Sequence, residues 1–328
     1  MKLKRVYAIG VDLGATNVRV ALGDSNGRII KKIVEPTVRK GDKYALSNQI
    51  ISMIKRLVSP SELKKVRGIG IGSIGPLDIK SGKILLAPNL GLRDVPLAKP
   101  ISEEFNLPVY VLNDCVAAVV GEKTFGAGKR IDNLVYVTIS TGIGCGVYVN
   151  GHLLLGKDGN AHEVGHIVID YEGRLICGCG KRGHWEAYCS GRNIPKFAKL
   201  LIEEMPQEEV RKSKLFSTGK SIEELTARDI YDAAKSGDKV ALKIVNEVGR
   251  LNAIGIANII NAYDPTLITL GGSVTLYNEE LVLEPIKKYL NDYIVNRPPE
   301  IRVTPLRENI VLYGAIALVF NPPPIPAP

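Results

Sequence analysis

Apolar residues open this chain in short runs broken by glycine. The run from Val6 to Val11 closes on Asp12, a turn follows (Leu13-Gly14-Ala15-Thr16), and Val18 to Leu22 returns. Asp24-Ser25-Asn26-Gly27 is a second hairpin signal, and Arg28 to Val34 reads as a third strand. The period then changes. Leu46, Ile50, Ile54, Leu57 and Val58 recur at helical spacing, which predicts a helix over 45–58. Strands follow at 66–72 and 108–112, and a helix begins after Asp114.

The opening pattern then recurs. Leu134 to Ser140 reads as a strand, Thr141-Gly142-Ile143-Gly144 as a glycine turn, Cys145 to Val149 as a returning strand and Asn150-Gly151 as a hairpin turn. Asp12-x-Gly14 and Ser140-x-Gly142 hold equivalent places, so the pattern suggests a duplicated α/β domain, with two unrelated hairpins as the alternative. Downstream, 239–262 reads as a helix in which Ala253, Gly255 and Ala257 permit close packing. Thr266 to Leu270 is a strand ending at Gly271-Gly272-Ser273, 278–294 a helix, Arg302 to Leu306 a strand, and 309–320 a last apolar helix. The proline-rich tail, Asn321 to Pro328, suits neither helix nor inner strand and is expected to be a loose end.

Length and composition narrow the class. A chain of 328 residues, 45% hydrophobic and 23% charged, fits two domains of ordinary size. No apolar stretch approaches the ~18 residues a membrane span needs, and the basic N-terminus runs straight into a strand, so neither signal peptide nor membrane anchor is expected and the cytoplasm is the expected location. The net charge of +9 is spread among acids with little aromatic interleaving, which argues against nucleic acid as the partner. Five cysteines without a secretory signal argue against a disulfide framework.

Several motifs carry candidate chemistry. Gly70-Ile71-Gly72-Ser73-Ile74-Gly75 matches the dinucleotide pattern, but Pro76-Leu77-Asp78 follows where a helix should start, so context rejects it. Gly219-Lys220-Ser221 is not a P-loop, because Lys214 stands where the first glycine belongs. The turns at 12–16 and 141–146 are either ordinary hairpin glycines or places where backbone N–H groups can approach phosphate oxygens. Asp12 beside the first turn could hold hydrated magnesium. Asn113-Asp114 sits at the carboxyl end of a strand, where ligands of open α/β sheets bind. Asp114 is therefore a helix N-cap, a functional carboxylate, or both.

The richest segment spans 162–190. His166, Cys177, Cys179 and His184 make a tetrahedral N/S set for structural zinc, with His162 a rival ligand and a metal-free reduced loop the alternative. His162-Glu163-Val164-Gly165-His166 also satisfies the H-E-x-x-H pattern of metalloproteases. That pattern works only on a helix, and Gly165 with the β-branched Val164, Ile167, Val168 and Ile169 argues for strand or loop.

Taken in order, Asp12-Leu13-Gly14-Ala15-Thr16-Asn17, Gly75-Pro76-Leu77-Asp78, Ala87-Pro88-Asn89-Leu90, Asn113-Asp114, Thr141-Gly142-Ile143-Gly144, Glu163-Val164-Gly165-His166, the 177–186 cluster and Leu270-Gly271-Gly272-Ser273 resemble the ROK family of sugar kinases and repressors over residues 6–320. The resemblance implies a two-lobed actin-like ATPase fold of the ribonuclease H-like kind, with residues 1–114 as a small lobe to which the helix at 309–320 returns, and 115–308 as a large lobe. It implies ATP-dependent phosphorylation of a hexose, glucose at the 6-hydroxyl first, with a broad hexokinase, a fructokinase or an N-acetylhexosamine kinase as alternatives. Asp114 would be the catalytic base, and Asn89, Asn113, Glu163, His166 and Glu186 would hydrogen-bond the sugar. Asp12, Gly14, Ala15, Thr16, Asn17, Thr141, Gly142 and Gly144 would face ATP phosphates and Mg²⁺, and Gly271, Gly272 and Ser273 the adenosine. His166 would place one ring nitrogen on zinc and the other on the sugar, and a homo-oligomer is usual among similar proteins.

The chemistry is coherent with those residue types. Sugar hydroxyls both donate and accept, so carboxylates and amides read them. Phosphoryl transfer needs alignment and charge neutralisation, which turn amides and Mg²⁺ supply. Two departures stand out: His184 replaces the family's third cysteine, and Ala15 replaces the second glycine of its first turn, which is tolerated only at negative φ. The family's repressors carry a helix-turn-helix ahead of the body, and a first strand starting by Val6 argues against that role. A non-catalytic sugar-binding protein is the remaining class.

Overall fold

A computed structural model describes residues 6–87, 91–217 and 219–324. The strands are β1 (Tyr7–Leu13), β2 (Asn17–Asp24), β3 (Ile29–Pro36), β4 (Val66–Ser73), β5 (Leu77–Asp78), β6 (Lys83–Ala87), β7 (Leu92–Pro96), β8 (Val109–Asn113), β9 (Leu134–Ile139), β10 (Ile143–Val149), β11 (His152–Leu153), β12 (Leu267–Gly271) and β13 (Glu300–Val303). One five-stranded sheet runs β3-β2-β1-β4-β8 and a second runs β11-β10-β9-β12-β13. In each, the third, second, first, fourth and fifth strands of the repeat lie side by side in that order. The duplication expected from two glycine-turn hairpins is therefore present in the topology, and the turns at 13–17 and 140–143 occupy the same place in both. β5, β6 and β7 form a small separate sheet that the sequence pattern did not announce.

The chain divides into two compact units, one made of Met1–Tyr136, Gly146–His162 and Thr304–Pro328, the other of Val137–Cys145 and Glu163–Val303. This differs from the boundary expected at residue 114, for a packing reason. The helix Asp114–Thr124 belongs to the first unit because it lies against the final helix, Ile310–Phe320, at backbone contact. A Cβ on Gly121 would stand 2.8 Å from both Gly314 N and Ile310 O, and one on Gly314 would overlap the Ala117 carbonyl. Only paired glycines allow two helices that close.

The final helix is buried almost all round, as its uniformly apolar sequence requires. It also explains the false dinucleotide pattern. A side chain on Gly70 would strike the Ala315 backbone, and one on Gly72 would strike Val311 and Ala117. Those glycines are bare because a helix crosses the strand, and the chain continues from β4 through a cis Gly75–Pro76 peptide into β5. On the other face of β1, Ile9, Val11 and Leu13 cluster with Leu46, Ile50 and Met53 of the helix Ala45–Leu57. Val20, Ile69, Ile71 and Val111 join them, so the centre of the first sheet is covered on both faces.

In the second unit the 25-residue helix Lys239–Tyr263 supplies the core. Its Gly255 lies against the ring of the fully buried Trp185, whose Nε1 donates to Asn252 Oδ1 at 2.9 Å. The small-residue stretch 253–257 thus seats the segment that carries His184 and Glu186.

Candidate active site

The residues singled out in the sequence divide between the two units, apart from Asn89, which lies outside the described residues. In the first unit, β1 delivers Asp12 to the turn, buried and paired in register with Arg19 of β2. Arg19 Nη1 donates to Asp12 Oδ2 at 2.6 Å. Burial raises the Asp12 carboxyl above its ordinary range, and the charge and hydrogen bond of Arg19 oppose that shift. The turn itself is closed by Gly14 N donating to Asn17 O at 3.0 Å and by Thr37 Oγ1 donating to Gly14 O at 2.7 Å. Ala15 has a negative φ, which removes the objection to alanine at that place. Thr16 points outward and Asn17 starts β2.

β8 ends at Asn113 and the 114–124 helix starts at once. The cap is Asn113, not Asp114: the Asn113 Oδ1 accepts from Cys115 N at 2.9 Å and from Val116 N at 3.4 Å. Asp114 is the first helical residue, half-buried, with Oδ1 accepting from Cys115 N at 2.8 Å. A helix N-terminus favours a carboxylate there. The same parallel strands place the turn after β1 and the start of this helix at one end of the sheet, since β1, β4 and β8 run parallel.

In the second unit, β9 leads into the turn Ser140–Gly142, closed by Ser140 N donating to Gly142 O at 2.9 Å. Thr141 is exposed and Gly142 and Gly144 are half-buried. Gly191 N donates to Ser140 O at 2.6 Å. Gly271 ends β12, and Gly272, at φ 83°, lies so close to Ile139 O and Thr138 Oγ1 that no other residue fits before the short helix at Ser273. The 140–143 and 271–273 turns are therefore neighbours at one end of the second sheet.

The segment 163–186 is not helical in the way a metalloprotease needs. Val164–His166 is a single 3₁₀ turn, and Val168 bridges to His184. His162 Nε2 lies against Gly159 O at 3.0 Å, and His162 is not part of the metal-like group. That group is His166, Cys177, Cys179 and His184, whose donor atoms all lie within 4.8 Å of one another. The two Nδ1 atoms are 3.2 Å apart, Cys179 Sγ is 3.3 Å from His184 Nδ1, and Cys177 Sγ is 3.7 Å from His166 Nδ1. Ligands around a tetrahedral zinc stand about 3.3–3.8 Å apart, so His184 fits the place of the missing cysteine. Burial pushes the Cys177 thiol up to about 12, so it stays protonated unless a cation draws the thiolate. The His184 imidazole is shifted down by burial and by His166. His166 turns its other nitrogen, Nε2, towards Glu163 Oε2 at 3.7 Å. Tyr188 and Arg174 both donate to Asp170, and Leu175 N donates to Tyr188 Oη at 2.9 Å, clasping the loop that carries the cysteines.

Two contacts were not foreseen from sequence. One is Arg19 on Asp12, which the register of the first hairpin could have revealed. The other is Glu186, whose Oε2 accepts from Ile143 N at 2.9 Å, so one amide of the 140–143 turn is already committed.

A repeated five-strand order with a glycine turn after the first strand of each repeat defines a duplicated, actin-like α/β ATPase fold. The chain belongs to the ROK family, whose pattern matches residues 8–321. It is 37% identical over 315 residues to a glucokinase of Pyrobaculum calidifontis, covering 96% of this chain and 95% of that one. It is 31% identical to a xylose repressor of Caldicellulosiruptor bescii, covering 95% of this chain and 78% of that one. Among solved structures, a ROK family glucokinase from Streptomyces griseus in complex with glucose and AMPPNP superposes with a TM-score of 0.78 at 33% identity, over 95% of this chain and 98% of that one. No helix among the described residues is long and apolar enough to cross a membrane.

Proposed function

We propose that this protein phosphorylates a hexose with ATP, glucose first and at its 6-hydroxyl, with Asp114 as the base. The observation that carries the reading is the division of labour at the start of the 114–124 helix. Asn113 caps the helix by accepting from Cys115 N and Val116 N, and Asp114, the first helical residue after β8, places a carboxylate beside that cap with Oδ1 on Cys115 N. The similarity to glucokinases over nearly the full length of both chains supports the same reaction.

In this reading Asp114 accepts the proton of the sugar hydroxyl as that oxygen forms its bond to the γ-phosphorus. The bond from γ-phosphorus to the β,γ-bridging oxygen breaks, ADP leaves, and Asp114 returns the proton to solvent. Asn113, Glu163, His166 and Glu186 bind sugar hydroxyls. The turns at 14–17 and 140–144 meet the phosphates with backbone N–H groups, and 271–273 meets the nucleoside. Mg²⁺ bound with ATP would supply charge neutralisation on the phosphates. Arg19 already occupies one Asp12 oxygen, so Asp12 would reach such an ion by the other and through water. His166, Cys177, Cys179 and His184 hold a structural zinc, which fixes the loop bearing His166 and Glu186.

The similarity to a xylose repressor makes sugar binding without turnover the second reading. A panel of glucose, fructose, mannose and N-acetylglucosamine with Mg-ATP separates the two. Turnover of glucose at least as fast as of the others supports the proposal, and binding of a sugar with no ADP release on any of them overturns it.

A further inference from the structure

Glu186 carries a feature that sugar contact alone does not explain. It starts the short helix Glu186–Cys189, directly after the anchored Trp185 and two residues after His184. Its own carbonyl accepts from Asn193 Nδ2 at 3.0 Å, so the backbone is held on both sides. From that seat the carboxylate spans two structures. Oε2 accepts the Ile143 N–H at 2.9 Å, and a Cβ on Gly142 would stand only 2.6 Å from the same oxygen. Oε1 lies 3.7 Å from Cys177 Sγ. Ser140 N to Gly142 O closes the turn internally, Gly191 N holds Ser140 O, and Ile143 opens β10. The Glu186 bond is a side-chain contact on its far limb, at Ile143.

We propose that Glu186 is a positioning residue for the 140–143 turn: through Ile143 N–H it holds that turn in one conformation before any ligand arrives, and ties it to the loop of the His/Cys set. An ionised acceptor on a backbone N–H is a strong hydrogen bond, and a glycine turn without one samples other conformations. The consequence deepens the kinase reading and rests on it. If the turn receives ATP phosphates, loss of the strut weakens nucleotide binding even when no sugar is present. A residue that only touches sugar has no such effect.

The test uses the full-length protein as purified, with Glu186→Ala and Glu186→Gln. Amide hydrogen exchange at Ile143, without ligand, reads the strut directly, and AMPPNP titration by calorimetry without sugar reads its consequence. Glu186→Ala should lose about 10- to 100-fold in Ile143 protection, the size of one hydrogen bond to a charged group, and should bind AMPPNP more weakly by a similar factor. Glu186→Gln keeps an acceptor oxygen and should recover most of both. Unchanged Ile143 protection in Glu186→Ala overturns the strut, and unchanged AMPPNP affinity alongside lost protection overturns its link to nucleotide. A wild-type protein that bound no AMPPNP would contradict the kinase reading instead, while the exchange measurement would still decide whether Glu186 holds the turn.

Discussion

At the scale of single residues, Asn113 and Asp114 divide two tasks that adjacent positions in a sequence cannot separate. Asp is a good helix cap, and nothing local distinguishes a capping Asp from a reacting one. The side-chain hydrogen bonds assign the N-cap to Asn113, which accepts from Cys115 N and Val116 N, while Asp114 Oδ1 accepts from Cys115 N from within the first turn. Asn113→Ala should therefore cost about 1 kcal/mol of stability in a denaturant titration, with Asn113→Ser recovering part of it. The same limit applies to Asp12. Its place beside a glycine turn was legible, while the Arg19 contact depends on hairpin register and appeared only with the backbone in place. Glu186 was legible as a polar residue downstream of a cysteine cluster. Its bond to Ile143 spans 43 positions, and no local pattern encodes such a contact.

At the scale of elements, the central strands were readable as short apolar runs bounded by glycine or polar turns, and the helix at 45–57 by apolar residues at helical spacing. β5 and β7 were not, since β5 has only two residues and Arg93 and Asp94 interrupt the apolar positions of β7. The tight pair formed by the 114–124 and 310–320 helices shows what glycine does once space is known. Gly314→Ala would put a methyl group into the Ala117 carbonyl, and a loss of about 3 kcal/mol or more is expected in urea unfolding, or failure to accumulate as soluble protein. The loop of the His/Cys set is clasped by the hydrogen bonds of Tyr188 and Arg174 to Asp170. Metal analysis should find one zinc per chain in the purified protein and none in Cys177→Ser, with a lowered melting temperature for the variant. Retention of full zinc by Cys177→Ser would remove Cys177 from the ligand set.

At the scale of the whole molecule, the chain repeats one strand order, and each repeat keeps its glycine turn at the same place. That repetition was visible as two similar hairpins 128 residues apart, Asp12-x-Gly14 and Ser140-x-Gly142. The division of the chain was harder to see, because the 114–124 helix joins the first unit through contacts with a helix almost 200 residues later. Family membership over residues 8–321 agrees with that repetition, and the full-length similarity to glucokinases points to one reaction. A charge-neutral replacement of the proposed base tests that reaction with least disturbance to the fold. With glucose and Mg-ATP, Asp114→Asn should lower kcat by about 10²- to 10⁴-fold while the melting temperature and the affinity for AMPPNP stay near those of the parent. A variant that keeps the parent's kcat would contradict Asp114 as the base.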